Sequence, residues 1–301
     1  MNVPGSIDVG SATHTGHVRA NNEDDFLVVA PPPDTGLPFV AGIADGMGGA
    51  AGGAEASRLG LRTVGVVLLD ADAATPPKER MAAGFAAAAA RVHQESANVP
   101  ALRGMGTTLS VLCVAHGVAR IGHVGDTRIY LVRDGVCEQL TRDHAVRHPD
   151  NLLTRCVGGG SPACEVDQVE VPLRRGDRFL LVSDGVWSAI PPDSFARLVG
   201  KGGPQATAEA LVAQALAAGG TDNATAVVVD VVDPAGGGAG RSVDLPRDER
   251  PGARAMWPRP MSLRPPVWPW LVFAAAAGLL GIAIARWCGV DVRAWMHGVG
   301  S

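Results

Sequence analysis

The chain has 301 residues, enough for one large domain or two small ones with a sizeable buried core. A formal charge of -4 argues against a dedicated nucleic-acid binder, which would carry a basic stripe. Apolar residues make up 47% of the chain and aromatics only 4%, so the core must be mostly Ala, Val and Leu.

The cysteines, Cys113, Cys137, Cys156, Cys164 and Cys288, are odd in number and form no CxxC pair. They read as reduced core thiols of a cytosolic domain and argue against a zinc site. The opening MNVPGSIDVGSATHTG lacks a basic segment followed by an apolar run, so no signal peptide is expected.

Ile7 to Thr13 suits a short strand. A polar loop follows, with Arg19 and three consecutive acids, Glu23, Asp24 and Asp25. Phe26 to Ala30 reads as a strand closed by Pro31-Pro32-Pro33. Leu37 to Ala44 reads as a buried strand that stops at Asp45 and a turn rich in glycine, including Gly46 and Gly48. Residues 50–70 and 77–98 read as helices, broken between Asp72 and Pro77. Gly104 to Ala115 and Val118 to Gly125 read as paired strands around the turn Ala115-His116-Gly117. Asp134-Gly135 is a hairpin signal between strands Ile129–Arg133 and Val136–Leu140. Thr141 to Pro149 is a loop, and Asn151 to Val157 is expected to form a short helix ended by Gly158-Gly159-Gly160. Val166–Val171 and Arg178–Ser183 read as strands, the second stopping at Asp184-Gly185. Val186–Ile190, Ser194–Val199 and Thr207–Ala218 read as helical, and Ala224–Val232 as the last strand.

Past Asp233 the composition changes. Residues 234–266 carry Gly, Pro and Arg throughout and read as a flexible linker. Val267 to Ala285 is 19 residues without a charge, the length of a bilayer core, with Trp268 and Trp270 at one end and Trp287 at the other. A buried core helix is the alternative, and its place after a linker argues against it. Arg241, Arg247, Arg250, Arg254, Arg259 and Arg264 precede the span, against only Arg286 and Arg293 after it. The positive-inside bias therefore puts the large domain in the cytoplasm. The expected layout is a domain at 1–233, the linker at 234–266, a single membrane helix at 267–286 and a short extracytoplasmic tail at 287–301.

Apolar runs meet an acidic turn repeatedly: FVAGIAD at Asp45, IGHVGD at Asp126 and RFLLVSD at Asp184. Asp222 in GGTDN precedes the last strand, and Asp24 precedes another near the start. One such aspartate is ordinary, but several in one domain point to a carboxylate cage. Carboxylates and carbonyls without His or Cys select Mg²⁺ or Mn²⁺. A pair of such ions polarises a bridging water into hydroxide and clamps a phosphoryl group for in-line attack. Arg19 is then a natural phosphate clamp, because guanidinium matches phosphate oxygens bidentately.

RANNED (Arg19–Asp24), ADGMGG (Ala44–Gly49), GTT (Gly106–Thr108), GDTRIY (Gly125–Tyr130), SDGVW (Ser183–Trp187) and DNAT (Asp222–Thr225) resemble the ordered motifs of bacterial type 2C (PPM) metal-dependent serine/threonine protein phosphatases. The resemblance covers residues 8–233, and all six motifs in order are highly specific. It implies an α+β fold, a four-layer α/β/β/α sandwich of two antiparallel sheets flanked by helices, with the metals in a cleft at one edge. It implies that Asp45 bridges two Mn²⁺ or Mg²⁺ ions, that Gly46 offers a backbone carbonyl, and that Asp184 and Asp222 complete the set. Asp126 with Asp184 would hold a weaker third ion. Asp24 would orient the attacking water, Arg19 would bind the phosphate, and Glu23 would support the site.

The sequence departs from the family in two places. Met47 stands where animal members often have a His proposed as general acid, so the resemblance implies that this role falls to metal-bound water, as in bacterial relatives. The mobile flap of about 20–30 residues usual after the TRDH segment, a length at which loops are commonly functional, is nearly absent between Thr141 and Arg155. His144 and His148 are read as loop residues near the cleft rather than a metal pair, His123 as a core or rim residue and Tyr130 and Trp187 as packing. Asp143 is read as a turn-former and Asp25 as solvated.

The implied activity is hydrolysis of phosphoserine and phosphothreonine on cytoplasmic proteins, opposing a Ser/Thr kinase from the inner membrane, with no nucleic-acid partner. A membrane-tethered pseudophosphatase that binds phosphoproteins without turnover is the alternative. Phosphatases acting on anti-sigma regulators or secretion regulators share the same chemistry.

Overall fold

Apolar runs such as Phe39–Ala44 and Ala224–Val229 have no polar face, so their strands must be covered on both sides. The computed structural model, which describes residues 6–32, 35–49, 52–70, 75–146, 152–200 and 202–234, supplies that cover. In chain order the elements are β1 (Ser6–His14), β2 (Asp24–Val29), β3 (Phe39–Met47), α1 (Gly52–Leu69), α2 (Pro77–Asn98), a 3₁₀ turn at Pro100–Leu102, β4 (Gly106–Thr107), β5 (Leu109–Ala115) and β6 (Val118–Val124). They continue with β7 (Arg128–Arg133), β8 (Val136–Gln139), β9 (Ala145–Val146), β10 (Leu152–Leu153), β11 (Val157–Gly158), β12 (Asp167–Pro172), β13 (Arg178–Val182), α3 (Asp184–Trp187), α4 (Pro192–Val199), α5 (Pro204–Ala217) and β14 (Ala224–Asp233). The chain divides into units Met1–Arg247 and Asp248–Ser301, and every described residue lies in the first.

One sheet runs β1-β14-β13-β7-β8, the other β11-β4-β3-β5-β6-β12 with β2 also on β3. The described pairings within them are antiparallel. The period of two along each strand sorts side chains into separate cores. On β13, Phe179 and Leu181 enter the core between the sheets, with Val227 and Val229 of β14 and Ile43 of β3. Leu180 and Val182 point the other way, onto Leu211 of α5 and Phe195 of α4. On β3, Val40 and Ala44 pack outward against Leu61 and Val64 of α1 and Phe85 of α2. Helices therefore cover both outer faces, and the four-layer α+β expectation holds.

The hairpin turns behave as their residues dictate. His116 and Gly117 both take positive φ, as do Asp134 and Gly135, the backbone that tight two-residue hairpins require.

Several boundaries differ from the sequence reading. β2 begins at Asp24 and β3 continues to Met47, so Asp24 and Asp45 lie within paired strands rather than beside them. Asn151–Val157 is not a helix. So short a segment is not self-supporting as one, and Leu152–Leu153 and Val157–Gly158 instead pair with Ala145–Val146 and with Gly106–Thr107. The four described cysteines, Cys113, Cys137, Cys156 and Cys164, are free thiols. Burial pushes Cys113 and Cys164 up to about 11, which keeps them protonated and inert. Among the described residues no helix is long and apolar enough to cross a membrane. The expected span at 267–285, His148 and Cys288 lie outside the described residues.

Candidate active site

The periodicity that builds the inter-sheet core also builds the site. On β2 the even positions Phe26 and Val28 face the other sheet, and on β3 the odd positions Ala41 and Ile43 do. Continuing each series by one step reaches Asp24 and Asp45, which are directly opposed across the β2–β3 ladder. Two carboxylates are thus delivered side by side to the end of the gap. On the facing sheet, β13 ends at Val182 and α3 opens at Asp184, while Asp222 stands just before β14.

Asp24 is buried, and its Oδ2 accepts a 2.7 Å hydrogen bond from the Ser183 hydroxyl. Its Oδ1 is buried without a hydrogen-bond partner. Burial pushes the Asp24 carboxyl up to about 7; hydrogen bonds from Thr225 and Ser183 oppose the rise, and the charges of Asp184 and Asp222 add to it. Asp45 is raised well above the usual carboxylate range, by burial first and then by Asp24, Asp184, Asp126 and Asp222. Asp126 is pushed up to about 6 by burial and by Asp184. Asp184 is raised by burial and by Asp222, partly offset by a hydrogen bond with Asp45. Like charges this close hold protons they would otherwise release.

The backbone around the cluster is tightly pinned. Asp45 N–H donates to the Thr108 hydroxyl, and Asp45 carbonyl accepts from Thr108 N–H, both at 2.8 Å. Gly46 N–H donates to the Glu23 carbonyl, and a Cβ at Gly46 would stand 2.1 Å from the Gly53 carbonyl oxygen. Only glycine lets the end of β3 touch the start of α1 this closely. A Cβ at Gly185 would likewise stand 2.0 Å from the Asn223 carbonyl oxygen, so glycine is needed to bring Asp184 and Asp222 together. Asn223 knits the Arg19 loop: its Oδ1 accepts from Glu23 N–H and its Nδ2 donates to the carbonyls of Thr15 and Asn21. Arg19 lies at the rim, more than half exposed, and pairs with Asp222 at 2.8 Å.

All eight sequence-derived site residues therefore converge on one edge of the sandwich. Asp25 is a correction. It is half-buried, its Oδ1 accepts from Phe26 N–H, and Arg58 and Arg62 lie close enough to lower a pKa that burial raises. Asp143 is more than a turn-former, since both its oxygens accept from Arg128, at 3.0 and 2.9 Å. His144 is clamped to the Asp126 loop: its N–H donates to the Gly125 carbonyl and its Nδ1 accepts from Gly125 N–H. His123 is buried as expected, its Nε2 donating to the Arg142 carbonyl. Ser183, Thr108 and Asn223 escaped the sequence reading as site residues. Their only signal was membership of the SDG, GTT and DNAT segments.

The donor set fits a hard divalent cation. It is all oxygen, it carries excess negative charge, and it includes a buried oxygen without a partner. Among the described residues no three acidic, His or Cys side chains form a closed cage. Mg²⁺-type ions bind through one or two carboxylates and keep several waters, so a sparse set suffices.

The protein phosphatase 2C family model matches residues 13–218. The chain belongs to the protein phosphatase 2C family. Serine/threonine protein phosphatase PstP of Mycobacterium tuberculosis is 34% identical to this phosphatase 2C chain over 244 residues, covering 72% of it but 44% of PstP, so the chain spans less than half of that relative. Protein phosphatase PhpP of Streptococcus pneumoniae is 32% identical, covering 75% of this chain and 98% of PhpP. The PstP catalytic domain solved with two manganese ions superposes with a TM-score of 0.66 at 31% identity, covering 75% of this chain and 99% of that one. PppA, described as a key regulatory component of T6SS in Pseudomonas aeruginosa, gives 0.67 at 31% identity, covering 76% and 99%.

Proposed function

We propose that this phosphatase 2C chain hydrolyses phosphoserine and phosphothreonine on proteins with the help of two Mn²⁺ or Mg²⁺ ions. The observation that carries the reading is the facing set of Asp24, Asp45, Asp184 and Asp222, charges that repel one another until a cation joins them. Asp45, the Gly46 carbonyl, Asp184 and Asp222 are the groups that would hold the ions, with Asp126 and Asp184 able to take a weaker third. Bound there, the ions supply Lewis-acid polarisation of the phosphoryl oxygens and a nucleophilic water at neutral pH.

The chain supplies the rest. Asp24, fixed by Ser183, offers its free Oδ1 as a hydrogen-bond acceptor to orient the attacking water. Arg19, exposed at the rim, turns from Asp222 to grip the phosphoryl oxygens. Glu23 holds the Arg19 loop through its backbone bonds to Asn223 and Gly46. Met47 cannot protonate the departing serine or threonine oxygen, so solvent water does.

The test is hydrolysis of a phosphothreonine peptide by the full chain with and without Mn²⁺, beside Asp184→Asn and Asp222→Asn. Mn²⁺-dependent turnover lost in both variants is expected. Retained phosphopeptide binding without turnover in the unmodified chain would instead establish the sequestering module, which no observation here favours.

We further infer that the uncharged stretch 267–285 anchors the domain of residues 1–233 to the cytoplasmic face of the inner membrane through the linker at 234–266, within reach of a membrane-bound Ser/Thr kinase and its substrates. The support is the length of the stretch, its tryptophan ends and the arginine bias. A chain truncated after residue 266 should move from the membrane to the soluble fraction on cell fractionation, and an unchanged distribution sinks the anchor.

A further inference from the structure

Asp126 lies in the loop between β6 and β7 and Asp184 opens α3, so their spacing is set by whatever ties that loop to that turn. Trp187 occupies the last position of the single turn that Asp184 begins. Its indole Nε1–H reaches the Asp126 carbonyl at 3.0 Å. One side chain thus ties the Asp184 turn directly to the backbone of Asp126.

The indole is itself held. The Arg128 guanidinium lies over its ring, 3.5 Å from the centroid, a stacked cation–π arrangement. Arg128 cannot rotate away, because it forks onto both oxygens of Asp143 and donates to the Tyr130 hydroxyl at 3.0 Å. Asp143 in turn precedes His144, which grips both backbone polar groups of Gly125, the residue before Asp126. Gly125 takes φ +111, and a Cβ there would lie 2.6 Å from Thr108, so the loop has no slack of its own. The brace therefore runs from Asp143 through Arg128 and Trp187 to the Asp126 carbonyl.

We propose that Trp187 is a positioning residue that spans the gap between Asp126 and Asp184 and sets the spacing at which they share one divalent cation. The inference rests on the metal-dependent reading above and deepens it. The ions that Asp45, Asp184 and Asp222 would hold depend on this brace less than the shared Asp126 cation does, because Thr108, Ser183 and Asn223 also pin that side of the cleft.

The experiment is a calorimetric Mn²⁺ titration of the full chain, of Trp187→Phe and of Asp126→Asn, with thermal melting and tryptophan fluorescence in parallel. Phenylalanine keeps a ring beneath Arg128 but removes the N–H together with part of the indole's bulk, so Tm separates lost packing from lost orientation. The expected result is that Trp187→Phe weakens the weakest Mn²⁺ step by about 10–100-fold, the usual effect of losing a group that orients a ligand, while the tighter steps hold and Tm falls by no more than a few degrees. Trp187 is the only tryptophan before Trp257, so wild-type fluorescence should change during that weakest step, and Asp126→Asn should lack the change. Wild-type affinity at every step in Trp187→Phe overturns the proposal, as does a uniform weakening of all steps together with a lowered Tm, which marks a structural role alone. No Mn²⁺ binding by the unmodified chain would overturn the metal-dependent reading as well.

Discussion

An Asp45→Asn variant is expected to lose more than about 100-fold in kcat/KM on a phosphothreonine peptide and, without metal, to melt at a higher temperature than the unmodified chain. The loss should exceed the 10–100-fold cost typical of residues that merely orient a metal ligand. Asp45 lies at the centre of the cluster, with Asp24, Asp184, Asp126 and Asp222 all raising its pKa. The gain in stability has the same origin. The fold holds the Asp45 carboxyl well above its usual range, and a neutral amide of equal size removes the cost of keeping that group protonated or charged among the other acids while still reaching Asp184. In a domain of this size each kcal/mol relieved is worth about 2–4 °C in Tm, so a rise of several degrees should be visible. The Mn²⁺-induced rise in Tm should disappear with the activity. Turnover within about tenfold of the unmodified chain, or a lowered metal-free Tm, would remove Asp45 from the centre of the site.

The second large effect is a coupling between pH and metal. Asp24 is raised from 3.8 to about 7 and Asp126 from 3.8 to about 6. A carboxyl raised in the fold contributes stability that is complete below its unfolded value and is lost as pH rises through its folded value. From about pH 5.5 to 7.5 these two groups lose roughly 3 kcal/mol between them, at 1.36 kcal/mol per pKa unit. His123 acts in the opposite direction. Burial lowers it from 6.5 to about 4, so its contribution is complete above 6.5 and is lost as pH falls towards 4. Over the same interval that is roughly 1.4 kcal/mol. The carboxylates win, and the metal-free Tm should fall as pH rises.

Mn²⁺ neutralises the cluster but does not touch His123, so the comparison with and without metal cancels the histidine. The rise in Tm on adding Mn²⁺ should be greater at pH 7.5 than at pH 5.5, by roughly 5–10 °C. An increment equal at both pH values would show that the cations do not bind among these carboxylates.

Much of the fold was legible because its signals are local. The break before Pro77 and the apolar spacing after it place a helix over 77–98, and α2 spans those residues. Asp134-Gly135 announces its hairpin because those two residues tolerate positive φ. The expected helix at Asn151–Val157 failed for the complementary reason. Its residues are decided by partners more than forty positions away in one case, where Val157 pairs with Thr107, and no local pattern encodes that choice.

The site divides along the same line. The chain by itself determined which residues carry the chemistry: acids closing apolar runs, an arginine near the first of them, and glycines in the adjoining turns. That strand periodicity runs through two of those acids emerged only with β2 and β3, which extend over Asp24 and Asp45 and pair them. Only the tertiary structure decided what each acid meets. Ser183 reaches Asp24 across 159 positions, Asn223 reaches Glu23 across 200, and Trp187 reaches the Asp126 carbonyl across 61. Hydrogen bonds of that span depend on how two sheets and their loops are brought together by burial of the core between them. Burial is non-directional and summed over many side chains, so the sequence can demand that the sheets close without stating which polar groups will meet at their edge.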